Sequence, residues 1–382
     1  MSDGVFSVGD IRASEDYIPF SDVKKVLART EPVDTVPIYL DGKDSIEIRL
    51  DDDWNAGGKE RYIEAPTGNT ITINGKTWYM NRSCTVSLYH KIGLSERFAY
   101  RTPGHVVEPL MNFYMNDGHD LLHQDQITLV VKDDQAVGIT DPNLPIISNV
   151  LVVEEIEKFL RSEMGSSNVF VDSRISNTFG VTDFRLVMAE PAFSVDTVRN
   201  GRKHTDAWHY GVRVTNSLVT NSARPLTLSG FMLESKTQAG IVPEYSNLIG
   251  FSRRLALDLD DLRGWVRSTL KQIFSVLPAE ARMVQEMPKY SFHGQMDSIT
   301  TDLFSTLKIP RKVQTWALDR IVENGDMTSY GIMHAIAGAT SVKYGVPMSS
   351  KASQYLQTTM GALPSRAQEF CDSCGRLHLQ LS

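Results

Sequence analysis

Between Val36 and Val130 apolar and polar residues alternate over short runs, the two-residue period of half-buried strands. The run IYLDGKDSIEIRL breaks at Asp41-Gly42, and TITINGKTWYM breaks at Asn74-Gly75. Asn-Gly between two sets of strand formers predicts a type I′ hairpin, because both central residues then need positive φ. Gly75-Lys76-Thr77 also matches the tail of a phosphate-binding loop. However, Thr70 stands where that loop needs its first glycine, and strand formers follow where a helix must open. Lys76 therefore reads as a strand residue. A helix is expected near His105–Met115, and QITLVVKDDQAVGIT reads as two strands about Asp133-Asp134-Gln135. In NVLVVEEIEKFLRSEM, Val152, Ile156, Phe159 and Leu160 share one helical face.

A second β block runs from about residue 168 to 245, with Asn200-Gly201 joining the arms of FSVDTVRNGRKHTDAWHYGVRVTNS. Beyond Asp258 the period changes: Leu262, Trp265, Val266, Leu270, Ile273 and Phe274 recur at helical spacing. IPRKVQTWALDRIVE and TSYGIMHAIAGATSV read as further helices. The order of elements predicts an α+β fold, with hairpin-rich N-terminal and central regions followed by a helical C-terminal region. The expected divisions are a leader with a short helix at Ser21–Ala28 (1–30), a β-rich region with helices (31–167), a second β block (168–250) and the helical region (251–382).

Composition narrows the classes. No run approaches the roughly 18 apolar residues of a membrane helix, and the first residues, MSDGVFSVGDIRASEDY, lack the apolar core of a secretory signal. Three cysteines make no disulfide framework, which fits a reducing cytoplasm. Charge is uneven: residues 1–198 carry 18 Lys and Arg against 31 Asp and Glu, whereas residues 199–320 carry 17 against 11. A basic centre inside an acidic chain is either a phosphate-binding footprint or one half of a contact between oppositely charged regions.

The basic hairpin is the leading candidate site. Arg199, Arg202, Lys203 and Arg213 surround Trp208 and Tyr210, so cations for phosphates lie beside rings on which unpaired bases could stack. Arg263, Arg267 and Lys271 fall at i, i+4 and i+8 and form one stripe, and Arg253 and Arg254 enrich the same region. For metal, Cys371, Cys374 and His378 have zinc-knuckle spacing but lack a fourth ligand. His119-Asp120-Leu-Leu-His123 imitates the zinc-protease helix motif, with an aspartate too short for the general base. Neither a G-x-S-x-G elbow nor a cysteine-protease signature occurs. Apart from that possible zinc, no cofactor is indicated.

Three segments, AVGITDPNLPIISNVLVVEEIEKFL, YGVRVTNSLVTNSARPLTLSGFMLE and MTSYGIMHAIAGATSV, lie in order within residues 136–342. Together they resemble a family of phage- and plasmid-borne proteins defined by a domain of unknown function. LESKTQAGIV keeps the family's Thr237 and Gly240 but lacks its arginine and cysteine, and His334 stands where relatives often carry asparagine. The resemblance implies a phage or mobile-element setting and supplies no catalytic residues. The expectation is a protein that binds single-stranded DNA without ATP, an annealing or recombination accessory acting as a homo-oligomer away from membranes. The alternatives are a self-assembling structural protein and, more remotely, a metal-dependent enzyme.

Overall fold

The computed structural model describes residues 34–51, 68–95, 102–117, 125–142, 146–166, 181–217, 226–246, 259–291, 303–341, 344–348 and 350–369. Tyr17–Pro19, Leu27, Phe98, 169–172, 176–178 and Ile249–Gly250 are described besides. The fold is α+β, with two sheets and most of the helical residues toward the C-terminus. Most of the short helix expected at Ser21–Ala28 lies outside the described residues.

After the short β1 (Tyr17–Pro19) comes a six-stranded sheet. It holds β2 (Asp34–Tyr39), β3 (Ile46–Arg49), β4 (Thr70–Ile73), β5 (Lys76–Met80), β6 (Gln126–Lys132) and β7 (Gln135–Thr140), in the order β2-β6-β7-β5-β4-β3. Only the β5–β7 pair is parallel. The β4–β5 hairpin turns on Asn74 at φ 50° and Gly75 at φ 84°, as the Asn-Gly pair requires. Helices α1 (Arg82–Lys91) and α2 (Gly104–Asn116) cover one face. Cys84, Leu88, Tyr89, Val107, Met111 and Met115 pack there against Ile38, Ile48, Ile71, Trp78 and Leu129.

Helix α2 has a second task. Its residues Glu108, Asn112 and Asn116 are four apart and line the free edge of β3. They accept from the backbone N–H groups of Leu50 (2.8 Å), Ile48 (2.7 Å) and Ile46 (3.2 Å). The two asparagine amides also donate to the carbonyls of Ile48 and Ile46, each at 2.8 Å. Two side-chain amides and a carboxylate in a row thus substitute for a missing strand, which removes the hazard of an open edge.

The larger sheet follows the path β1-β8-β10-β12-β13-β14. Its strands are β8 (Val169–Asp172), β9 (Ser176–Thr178), β10 (Val181–Met188), β11 (Phe193–Arg199), β12 (Arg202–Ser217), β13 (Leu226–Glu234), β14 (Gly240–Ile241) and β15 (Ile249–Gly250). The 16-residue β12 is its spine. Its first half pairs with β11 and its second half with β10, while β13 runs along the other side. Period-two alternation sends Asp206, Trp208, Val212 and Val214 to one face. Helices α3 (Asn149–Ser162), α4 (Leu259–Glu286), α5 (Arg311–Asn324), α6 (Ser329–Gly338) and α7 (Ser350–Gly361) contribute side chains to that same core. Helix α3 belongs to this larger core: Phe159 packs on Phe274 of α4, ring centroids 5.8 Å apart.

Candidate nucleic-acid interface

The β11–β12 hairpin turns on Asn200 (φ 49°) and Gly201 (φ 74°), the second Asn-Gly turn of the chain. Its tip is seated on the corner between α5 and α6. The Asn200 amide donates to the Glu323 carbonyl at 2.7 Å, and Gly325, at φ 62°, lies so close to Asn200 that a Cβ would sit 2.6 Å from its Oδ1. One strand turn inward, the Thr197 hydroxyl donates to Asp326 at 2.7 Å. The hairpin is therefore held against the helices at its tip.

Only part of its charge faces water. Arg202 and Lys203 are exposed at the tip. Arg199 folds back onto Asp206, which is 1% exposed, and binds both of its carboxylate oxygens. Burial works against the Arg199 charge, but the neighbouring carboxylate of Asp206 outweighs it and raises the guanidinium's pKa. Arg213 is 4% exposed and is held by Asp183 and, at 3.3 Å, by Gln357. The expectation that Arg199 and Arg213 hold phosphates is thereby corrected, because each is engaged by a carboxylate inside the fold.

The stacking role of Trp208 is corrected for the same kind of reason. Its ring is fully buried, lies against Phe193 at 6.0 Å, and its Nε1–H donates to the Tyr330 hydroxyl at 3.0 Å. That hydroxyl in turn donates to Asp206 at 2.9 Å. Tyr210 is half-buried beside Phe193, ring centroids 5.9 Å apart. The aromatic residues of the hairpin thus anchor it to α6. A strand facing a packed helix bundle turns alternate residues inward whatever their chemistry, and Trp208 falls on that face.

Continuing along α6, His334 stacks on Tyr330 with ring centroids 5.6 Å apart, and its Nε2 lies 3.5 Å from Glu234 Oε2. Glu234 is completely buried. It accepts from the Thr237 hydroxyl and N–H, both at 2.6 Å, and from the Lys236 N–H at 2.9 Å. Burial pushes its pKa up, but His334, Thr237 and the Lys236 amide hold it down to about 2. Tyr330 is driven the other way, well above the usual phenol range, by burial and by the charges of Asp206 and Glu234. The Thr237 hydroxyl and His334 Nε2 lie 3.1 Å apart, so the two side chains meet at Glu234. Glu234 was missed from the sequence because a lone glutamate at the end of a strand carries no motif.

The stripe on α4 is the other exposed basic element. Arg263, Arg267 and Lys271 all face outward, spanning about 12 Å at 1.5 Å per residue. Two of them share an acid on α3: Arg263 Nε lies 3.4 Å and Arg267 Nε 3.3 Å from the buried Glu155. Both guanidinium groups remain nearly half exposed. Stripe and hairpin tip are not one surface. Leu277 lies under Gly230, which pairs with Val212, and Gln285 bonds Ser194, which pairs with Ala207. Helix α4 thus runs toward the tip, with the stripe at its far end. The two groups are on the order of 40 Å apart by element rise.

Arg253, Arg254, the His119-Asp120-His123 motif and the Cys371, Cys374, His378 set all lie outside the described residues. Among the described residues, no group of three His, Cys, Asp or Glu side chains is placed to hold a metal ion. No helix among them is long and apolar enough to cross a membrane. Compared with family models, curated proteins and solved structures, the chain matches none.

Proposed function

We propose that this protein binds single-stranded DNA through its phosphate backbone, without ATP, as a homo-oligomeric annealing or recombination accessory of a phage or mobile element, in the cytoplasm. The observation that carries this reading is the outward basic stripe Arg263, Arg267 and Lys271 on a 28-residue helix. Arg202 and Lys203 at the hairpin tip form a second contact. Guanidinium and ammonium groups presented on rigid elements hold phosphates without reading sequence. Two contacts this far apart suit one strand crossing the larger sheet and its helices, or two strands held by neighbouring subunits. The phage setting rests on the three resembling segments. A zinc at Cys371, Cys374 and His378 would be structural in this reading, since no phosphate contact depends on it.

The test is affinity for a labelled single strand in three proteins: wild type, Arg202→Glu/Lys203→Glu and Lys271→Glu. Each variant is expected to weaken binding and to flatten its dependence on salt by about 0.7 of a unit of slope for every phosphate that no longer meets a cation. Unchanged affinity in both folded variants would remove these surfaces from the site. The self-assembling reading is favoured by one feature, an apolar stripe on α2.

A further inference from the structure

Helix α2 presents three faces. Val107, Met111 and Met115 enter the core, and Glu108, Asn112 and Asn116 cap the edge of β3. The third face is turned to water and is apolar. Val106 is 53% and Phe113 47% exposed, Pro109 is exposed and Leu110 half-buried between them. At i, i+3, i+4 and i+7 these four form one stripe, and Asp117 continues it at i+11.

We propose that this stripe is a two-fold interface at which α2 packs antiparallel against α2 of a second copy, centred on Leu110. This deepens the oligomeric part of the reading above and is independent of its DNA-binding part. Two observations select a second copy. First, the stripe is self-complementary: Val106 and Phe113 lie three to four residues either side of Leu110. An antiparallel two-fold therefore sets each Val106 against the partner's Phe113, as an isologous contact demands. Second, among the described residues the helix's own end turns carry nothing that offsets its dipole. The N-cap is Pro103, which has no side-chain acceptor, and the first turn carries no acid. The last turn carries no base and closes on Asp117, a carboxylate at the negative end of its own dipole. Asp117 and Pro103 are each seven residues from Leu110, so the two-fold brings every Asp117 beside the other helix's N-terminal turn. A charge that is unfavourable on its own helix becomes favourable on its partner's.

Four residues a side make a small contact, at the weak end of specific interfaces, so a dissociation constant of about 10 µM or weaker is expected. Sedimentation equilibrium without DNA reads this directly. Wild type is expected to approach twice the monomer mass as concentration rises, and Phe113→Glu to stay monomeric with unchanged thermal unfolding. In a Cys371→Ser/Cys374→Ser background, Leu110→Cys is expected to cross-link to itself on oxidation, while the outward Ser275→Cys on α4 does not. A wild type that remains monomeric throughout would overturn the proposal. So would self-association untouched by Phe113→Glu but lost in Arg202→Glu/Lys203→Glu. Single-strand binding by monomeric Phe113→Glu would leave the DNA reading standing whichever way the interface is decided.

Discussion

Replacing Glu234 by Gln isolates one buried charge, and the consequence follows from its surroundings. In the folded chain its pKa is about 2, against an ordinary 4.5. A carboxyl whose pKa is lowered by folding stabilises the fold above its unfolded value, and loses that contribution as pH falls toward its folded value. The separation of about 2.5 units corresponds to roughly 3 kcal/mol at pH 7, falling to about 1 kcal/mol at pH 3. Glu234 is wholly buried, so solvent screening does not reduce this. Glutamine keeps the shape and can still accept from Thr237, but it carries no charge to face His334. Urea unfolding of wild type and Glu234→Gln at pH 7 and pH 3 measures the difference, and the other carboxylates cancel because both proteins share them. The wild type is expected to be the more stable by about 3 kcal/mol at pH 7, with the gap shrinking by about 2 kcal/mol at pH 3. A gap of the same size at both pH values would refute the assignment of Glu234 as a buried anion held by His334 and Thr237.

Three further outcomes are expected. Tyr330→Phe strands the buried Trp208 N–H and removes a hydrogen bond to Asp206, costing about 2–4 kcal/mol in denaturant unfolding. Arg263→Gln/Arg267→Gln takes both cations from Glu155 and, since the arginines are nearly half exposed, should destabilise by only about 1–2 kcal/mol. Adding Glu155→Gln should restore most of that loss, which melting curves of the double and triple variants will show. Asn112→Ala takes from Ile48 both partners on its open edge. A loss of about 1–3 kcal/mol is expected, with aggregation on heating seen by light scattering.

The sequence announced this fold where local chemistry and tertiary packing agree. Asn74-Gly75 and Asn200-Gly201 make the turns their positive φ permits, and the apolar spacing from Leu262 to Phe274 is the buried side of α4. It was silent about α1. Cys84 through Tyr89 are all buried, so no polar face marks the helical period, and SCTVSLY is made largely of residues equally at home in strands. The edge cap on β3 was equally hidden, because Glu108, Asn112 and Asn116 read as an ordinary polar helix face. Within the candidate site, the exposed cations Arg202, Lys203, Arg263, Arg267 and Lys271 were legible from spacing. The inward turn of Trp208 was not, since it depends on which face of β12 meets the helices, and Arg199 on β11 and Arg213 on the other face of β12 are each drawn in by a carboxylate of a neighbouring strand, Asp206 and Asp183. A strand with polar and aromatic residues on both faces does not encode that locally.

The most direct measurement is fluorescence anisotropy of a labelled single-stranded oligonucleotide titrated with the wild-type protein over a series of salt concentrations, with duplex DNA as competitor. Three to five phosphate contacts predict that log affinity falls with log salt at a slope of about −2 to −4. Absence of binding at low salt, or an affinity indifferent to salt, would contradict the account and leave the basic surfaces as sites for protein contacts.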